Sequence, residues 1–195
     1  MGSTELTFHP APIKPSNITI NIGTAGSTTL ILQAILLPVI FAKKPITLTI
    51  KGGTDVKWAT PIDHFKFVLL PQLQKFADIK VNLSKRGYYP KGNGEIEVAI
   101  TPKIALGDEG INIFLQKLRR CIEPYTLTTQ KKTTKIIGIA HSSKDLEKSH
   151  VAERIAQGAH QLLSKHFETI TIKKEYHETD STGCGITLWV DSGSV

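Results

Sequence analysis

The sequence predicts an α/β chain built in two parts, and three observations carry that prediction. Residues 17–100 alternate between period-two and helical-period runs in the order β-α-β-α-β-β. Positive charge is concentrated in the same stretch. Residues 1–103 hold 12 Lys+Arg against 6 Asp+Glu, a net of +6, while residues 104–195 hold 12 against 11, a net of +1. Rhythm and charge both change near Pro102, which places a boundary at about 102–106 and divides the chain into 1–103 and 104–195.

Taken in order, Glu5–Phe8 and Asn17–Ile22 alternate like strands, separated by a loop marked by Pro10, Pro12 and Pro15. Gly23-Thr-Ala-Gly26 is a turn, and Ser27 is placed to cap a helix over Thr28–Ala42 that Pro38 bends or ends late. Ile46–Ile50 is a strand, and Gly52-Gly53-Thr54 turns the chain. Pro61 opens a second helix whose apolar face is Ile62, Phe65, Leu69, Leu73 and Phe76. Strands over Ile79–Leu83 and Glu95–Ile100 flank the stretch Arg86–Gly94. In the second part an amphipathic helix spans about 110–122, and a polar loop covers Pro124–Thr134. A strand over Lys135–Ala140 leads to a helix lined by Val151, Ile155, Ala159, Leu162 and His166. Strands over Thr169–Lys174 and Gly185–Val190 complete the order.

Composition bounds the function. With 40% hydrophobic and 21% charged residues, 195 residues suffice for a globular core. The longest apolar run, Leu30–Ala42, is interrupted by Gln33 and Pro38 and is too short to cross a bilayer. No basic-then-apolar signal segment opens the chain, so the expected location is cytoplasmic, with no membrane partner. The net charge of +7 suits polyanions or nucleotides, although a solvated lysine-rich surface gives the same number. Cys121 and Cys184 lie far apart without a CxxC pattern and read as two reduced, half-buried thiols. The seven histidines, at 9, 64, 141, 150, 160, 166 and 177, show no metal-ligand spacing, so no metal site is assigned. A phosphate-binding P-loop, a dinucleotide fingerprint and a nucleophile elbow are all absent, and Ser142-Ser143 reads as part of a hydrophilic loop. Glu178 and Asp180-Ser181 read as a solvated acidic turn.

Three features invite chemistry. INIGTAGS and LTIKGGTD echo each other as strand, glycine, threonine, helix, an arrangement that offers backbone N–H groups to an anion. Gln33 interrupts a helix that is otherwise apolar all round. Its amide needs partners there, and they are either a neighbouring backbone or a polar ligand edge such as a nucleobase. RGYYPKGNGEIEV (86–98) gathers Arg86, Lys91, Tyr88, Tyr89 and three glycines at the mouth of a strand. Asn93-Gly94 alone would supply the hairpin, so the charge and rings ask for a further reason: either a bulged hairpin with a basic surface or a stacking, cationic corner.

Together, GTAGSTTLILQAILLP, IKGGTD…PID and RGYYPKGNGEIEV, in this order and spacing, resemble the RNA 3'-terminal phosphate cyclase family; GSTELTFHP and GIAHSSKDL…HVAERIA add to the likeness. The resemblance implies a β-α-β-α-β-β repeat unit over 1–103, followed by an inserted, thioredoxin-like α/β domain over 104–195 that is incomplete at its C-terminal end. It implies ATP-dependent conversion of an RNA 3'-phosphate to a 2',3'-cyclic phosphate. A histidine is adenylylated, AMP passes to the RNA phosphate, and the neighbouring 2'-OH displaces it. A phosphate monoester is a poor electrophile until AMP supplies a leaving group, and a covalent nucleophile divides the exchange into easier steps.

The resemblance names ATP and a divalent ion, Mg²⁺ or Mn²⁺, as cofactors and an RNA 3' end as partner. Gln33 matches a family glutamine that contacts ATP, Thr60 and Pro61 fall near the nucleotide, and Arg86 and Lys91 fall on the surface for RNA. Two departures stand out. The family's first repeat, with its Gly-Glu-Gly-Gly-Gly-Gln motif, is not here, and no histidine sits in the context of the family nucleophile, so none is given that role. The expectation is a chain inactive by itself that self-associates through surfaces meant for missing repeats. The alternative is a non-catalytic cyclase-like RNA-binding protein of ribosome biogenesis. Asn93 replaces a usual glycine and Thr60 a usual proline.

Overall fold

The computed structural model describes residues 4–9, 11, 13, 17–126, 128, 133 and 135–191; Pro10, Pro12, Pro15 and much of the polar loop at 127–134 lie outside these. Among the described residues, seven strands form two sheets. β1 (Asn17–Asn21), β2 (Ile46–Gly52), β3 (Ala77–Lys85) and β4 (Gly94–Pro102) form the first, in the order β1-β2-β4-β3. β1 runs parallel to β2, and the other two pairings are antiparallel. β5 (Lys135–Ser143), β6 (Thr169–His177) and β7 (Cys184–Asp191) form the second, in the order β6-β5-β7. The expected α/β class is borne out.

β2 shows how the pattern makes the core. Ile46, Leu48 and Ile50 alternate with half-exposed threonines and are buried. They meet Leu32, Leu36, Val39 and Ile40 of α1 (Thr28–Ile40), and Ile96, Val98 and Ile100 of β4 complete the cluster. Burying each such side chain contributes about 1.5–3 kcal/mol. Ser27 caps α1 as expected, its Oγ accepting from the Leu30 amide at 3.2 Å. Pro38 does not stop the helix. It sits on the exposed side, and α1 continues two residues beyond it.

The helix expected from Pro61 is irregular: an α-turn, α2 (Ile62–His64), a π-helical stretch Phe65–Leu69, and a second α-turn, α3 (Leu70–Leu73). The wider π turn shifts the inward face by one residue, so Leu70 is buried where the 3.6-residue period predicts Leu69. Residues 5–8 are not a strand. Leu6 and Phe8 are exposed, so their alternation buries no apolar face that would hold a strand.

In the second part, α4 (Ile111–Cys121) buries only Phe114, whose ring meets the edge of Phe41 at the end of α1. α5 (Val151–Leu163) lays Ala152 and Ala156 against the second sheet. β5 runs to Ser143, so Ser142 and Ser143 are buried strand residues rather than a hydrophilic loop. Phe67 stacks on Trp189 of β7 at 4.7 Å and 6°, a direct contact between the π stretch and the second sheet. Cys121 and Cys184 are unpaired and exposed, not half-buried. No described helix is long and apolar enough to cross a membrane.

Candidate nucleotide-facing site

Two loops dominate the molecule's polar chemistry: residues 53–61 after β2, and residues 86–93 between β3 and β4. The turns of the INIGTAGS and LTIKGGTD echo lie against each other. Gly53 N donates to Gly26 O at 2.8 Å, and Thr28 N donates to Gly53 O at 2.9 Å. Thr54 N donates in turn to Gly87 O at 2.9 Å. These amides satisfy one another, which corrects the anion-cradle reading of the echo: the groups expected to face a ligand are used to cross-brace the loops. A Cβ on Gly87 would fall 2.3 Å from Gly94 N and 2.6 Å from Gly52 O, so the glycines are there for close backbone approach.

The inner face of the loops is a buried ionic cluster. Arg86 is only 1% exposed, and its guanidinium reaches Asp63 Oδ2 at 2.7 Å, Asp55 Oδ2 at 3.0 Å and Glu175 Oε2 of β6 at 3.4 Å. Thr54 Oγ1 donates to Asp55 Oδ2 and accepts from Gly87 N. Burial alone would lower the arginine's affinity for its proton, but Asp55 and Asp63 reverse this and raise it. For the Tyr88 hydroxyl burial acts in the raising direction, assisted by the Asp55 charge.

His141 of β5 is held down to about 3, first by burial and then by the Arg86 charge. The imidazole is therefore neutral: Nδ1 accepts from the Tyr88 hydroxyl at 2.7 Å, and Nε2–H is turned toward Asp55 Oδ1 at 3.5 Å. Burial would raise Glu175, but hydrogen bonds from Lys173 and His177 and the Arg86 charge bring it to about 2. The expectation that Arg86 helps form a basic surface is corrected. Three carboxylates around one guanidinium draw it inside, where it joins the first sheet's loops to the second sheet.

The 178–183 turn is also more than a solvated acidic patch. Asp180 pairs with Lys85 at 2.7 Å and accepts from Asn93 Nδ2 at 2.9 Å. Ser181 Oγ accepts from the Lys91 amide at 3.0 Å. Tyr88 packs so closely on Gly183 that a Cβ there would lie 2.3 Å from its ring. Lys91 itself keeps an exposed side chain. The stretch 86–94 thus holds Arg86 and Tyr88 inward and turns Tyr89 and Lys91 outward.

On the outer face the structure brings together three residues the sequence had singled out separately. Gln33 lies on the exposed side of α1, not buried as its apolar surroundings suggested, because that side of the helix is uncovered at Leu30 and Leu37. Its Nε2 meets Thr60 Oγ1 at 3.4 Å, a long bond that leaves the amide available. Thr60 O accepts from Thr29 Oγ1 at 2.6 Å, which fixes Thr60-Pro61 beside the first turns of α1. Next to this rim Trp58 and Tyr89 stand out from the surface, 89% and 76% exposed. Sequence reasoning passed over Trp58, since a lone loop tryptophan has no periodicity to betray it.

A family model described as RNA 3'-terminal phosphate cyclase matches residues 1–184. A protein of that name from Archaeoglobus fulgidus is 37% identical over 190 residues, covering 97% of this chain and 52% of the relative. Another from Methanosarcina acetivorans is 40% identical over 196 residues, covering 96% and 54%. The chain belongs to the RNA 3'-terminal phosphate cyclase family. It spans about half the length of the curated relatives it matches.

Membership raises the question of a divalent ion. Among the described residues, Asp55, Asp63 and His141 bring ligand-type atoms within 4.8 Å of one another. They do not fit a metal. The Arg86 guanidinium already takes one oxygen of each carboxylate and balances their charge, and His141 Nδ1 is engaged by Tyr88. A second cation would face the first across a buried site.

Proposed function

We propose that this cyclase-family chain carries nucleotide- and RNA-facing elements for ATP-dependent conversion of an RNA 3'-phosphate to a 2',3'-cyclic phosphate. The observation that carries the reading is the convergence of Gln33 and Thr60-Pro61 at one exposed rim, with the Gln33 amide held by a single long bond. An amide offering both donor and acceptor suits the edge of a base or a ribose. Thr60 and Pro61 form the neighbouring wall. ATP bound there would supply the AMP that turns the RNA phosphate into an electrophile; a divalent ion, if used, takes ligands other than the Asp55–Asp63–His141 cluster. Lys91 and the +6 charge of residues 1–103 favour approach of the RNA backbone.

None of the seven histidines is assigned the nucleophile, and His141 is excluded by burial and by its two partners. Incubation with ATP labelled on the α-phosphate is expected to leave no acid-labile AMP on this chain. Labelling would place the nucleophile among these histidines. The same reading includes self-association through α1 and α4, which expose Leu30, Leu37, Ile111 and Ile113; a strictly monomeric sedimentation profile at high concentration would count against it.

The decisive experiment is a calorimetric titration with ATP of the wild-type chain and Gln33→Ala. Loss of one or two ligand hydrogen bonds predicts about ten-fold weaker binding. Equal affinities would remove Gln33 from the site. RNA binding with no ATP binding at all would favour the non-catalytic relatives.

A further inference from the structure

Trp58 is the residue the function leaves over. It is a bulky side chain, 89% exposed, in the left-handed backbone region at φ +68°, which such residues rarely adopt. The loop leaves it little choice. Asp55 is pinned inside by Arg86, Ile62 N donates to Thr54 O, and Thr60 O is tied to α1, so the intervening residues close a tight arch. The arch ends with the indole pointing out of the molecule and Lys57 Nζ 5.0 Å from its ring centre. Where a chain holds an exposed tryptophan in an unfavourable conformation, packing is not the reason for it.

Trp58 forms one wall of a cleft of about 400 Å³, with Tyr89 among its other lining residues and Ser27 and Leu30 of the first turn of α1 among the rest. Tyr89 is held there by a separate constraint. Gly92, at φ +71°, lies so close to the Gly23–Gly26 turn that a Cβ would fall 2.7 Å from Ala25 Cα. Two exposed rings, a lysine and the amino-terminal end of a 13-residue helix therefore share one opening. The cleft also adjoins the Gln33–Thr60 rim. Ala59 lines it immediately before Thr60, and Leu30 lies one turn before Gln33 on the same helix face.

We propose that this cleft takes the terminal base of a single-stranded RNA 3' end, with Trp58 and Tyr89 as stacking faces and Lys57 beside the phosphate. The assignment rests on the nucleotide reading of the Gln33–Thr60 rim, since transfer of AMP from ATP to an RNA phosphate needs the two ligands side by side. Base–aromatic stacking tolerates any sequence, because every base has a π-face. Lys57 and the net charge of residues 1–103 favour an anionic partner over a neutral or basic one.

Trp58 also reports on itself. Trp189→Phe keeps a ring against Phe67 and leaves one indole in the protein. Titration of that variant with a short 3'-phosphorylated oligoribonucleotide at low salt, without ATP, is expected to give saturable quenching. With labelled oligonucleotide, Trp58→Ala and Tyr89→Ala are each expected to bind about ten-fold more weakly, with Trp58→Phe close to wild type and ATP affinity unchanged. Trp58→Gly separates ligand from structure: glycine adopts φ +68° freely, so its melting temperature holds or rises while RNA affinity falls.

Variants that bind the oligonucleotide as wild type does would remove the cleft assignment and leave the ATP rim standing. Quenching by ATP that competes with RNA, or quenching by anionic phospholipid vesicles in place of RNA, would overturn it in favour of another ligand. A wild-type chain that binds no oligonucleotide would remove both this site and the RNA role proposed above.

Discussion

Tyr88 and Tyr89 are neighbours, yet one is 3% exposed and the other 76%. The same division runs through the whole of both loops. Asp55 and Arg86 face inward, while Lys57, Trp58 and Lys91 face out. The inner half is dense with charged partners and joins two sheets; the outer half holds a long Gln33–Thr60 bond, a strained backbone at Trp58 and exposed rings. Charge and aromatic residues crowded into a short stretch therefore do not mark one surface. Here they mark two, and the glycines that let the backbones touch set which residue goes to which side.

The largest test breaks the inner half. Arg86→Met leaves Asp55 and Asp63 buried without a counter-charge, and a destabilisation of about 3–5 kcal/mol is expected in urea unfolding. A loss no larger than that of a typical surface substitution would show that the cluster does not hold the sheets together.

Gly92→Ala comes next. A left-handed residue with a Cβ costs about 1–2 kcal/mol, and here it also meets the backbone of Ala25 at 2.7 Å. The variant should lose stability and, by shifting Tyr89, RNA affinity as well. Loss of neither would detach the 86–93 loop from the first turn.

The third prediction concerns acid. His141 sits at about 3 in the fold against an ordinary 6.5, so between these values the unfolded chain holds a proton that the folded chain does not. Its contribution is complete above about pH 6.5 and is lost as pH falls toward 3, with a slope of up to about 1.4 kcal/mol per pH unit. Glu175, depressed to about 2 from 4.5, adds a second loss below about pH 4.5. His141→Gln should flatten the first limb and leave the second. An unchanged slope between pH 6.5 and 4.5 would contradict the buried neutral imidazole that faces Tyr88, Asp55 and Arg86.

Much of the fold was legible because local patterns decide it. β2 and β4 alternate, Ser27 caps a helix, and the element order followed from periodicity alone. Gln33 was expected to be buried and is exposed: a helix apolar all round reads as buried, and nothing local announces that one side is left uncovered. The Arg86 cluster was beyond the reach of pattern, since its partners lie 31, 23 and 89 residues away. The π turn was hidden because it changes the period within a run too short to show it. Trp58 was missed because its signal is a backbone angle, which composition does not carry.

The most direct test of the two-faced account is an amide and side-chain chemical-shift map of the chain titrated with ATP and then with a 3'-phosphorylated oligoribonucleotide. Shifts are expected at Gln33 and Thr60 with ATP and at the Trp58 indole and Tyr89 with RNA, leaving Arg86, His141 and Glu175 unmoved. Shifts centred instead on Arg86, Lys173 and His177, which line an inner cleft of about 560 Å³, would contradict it.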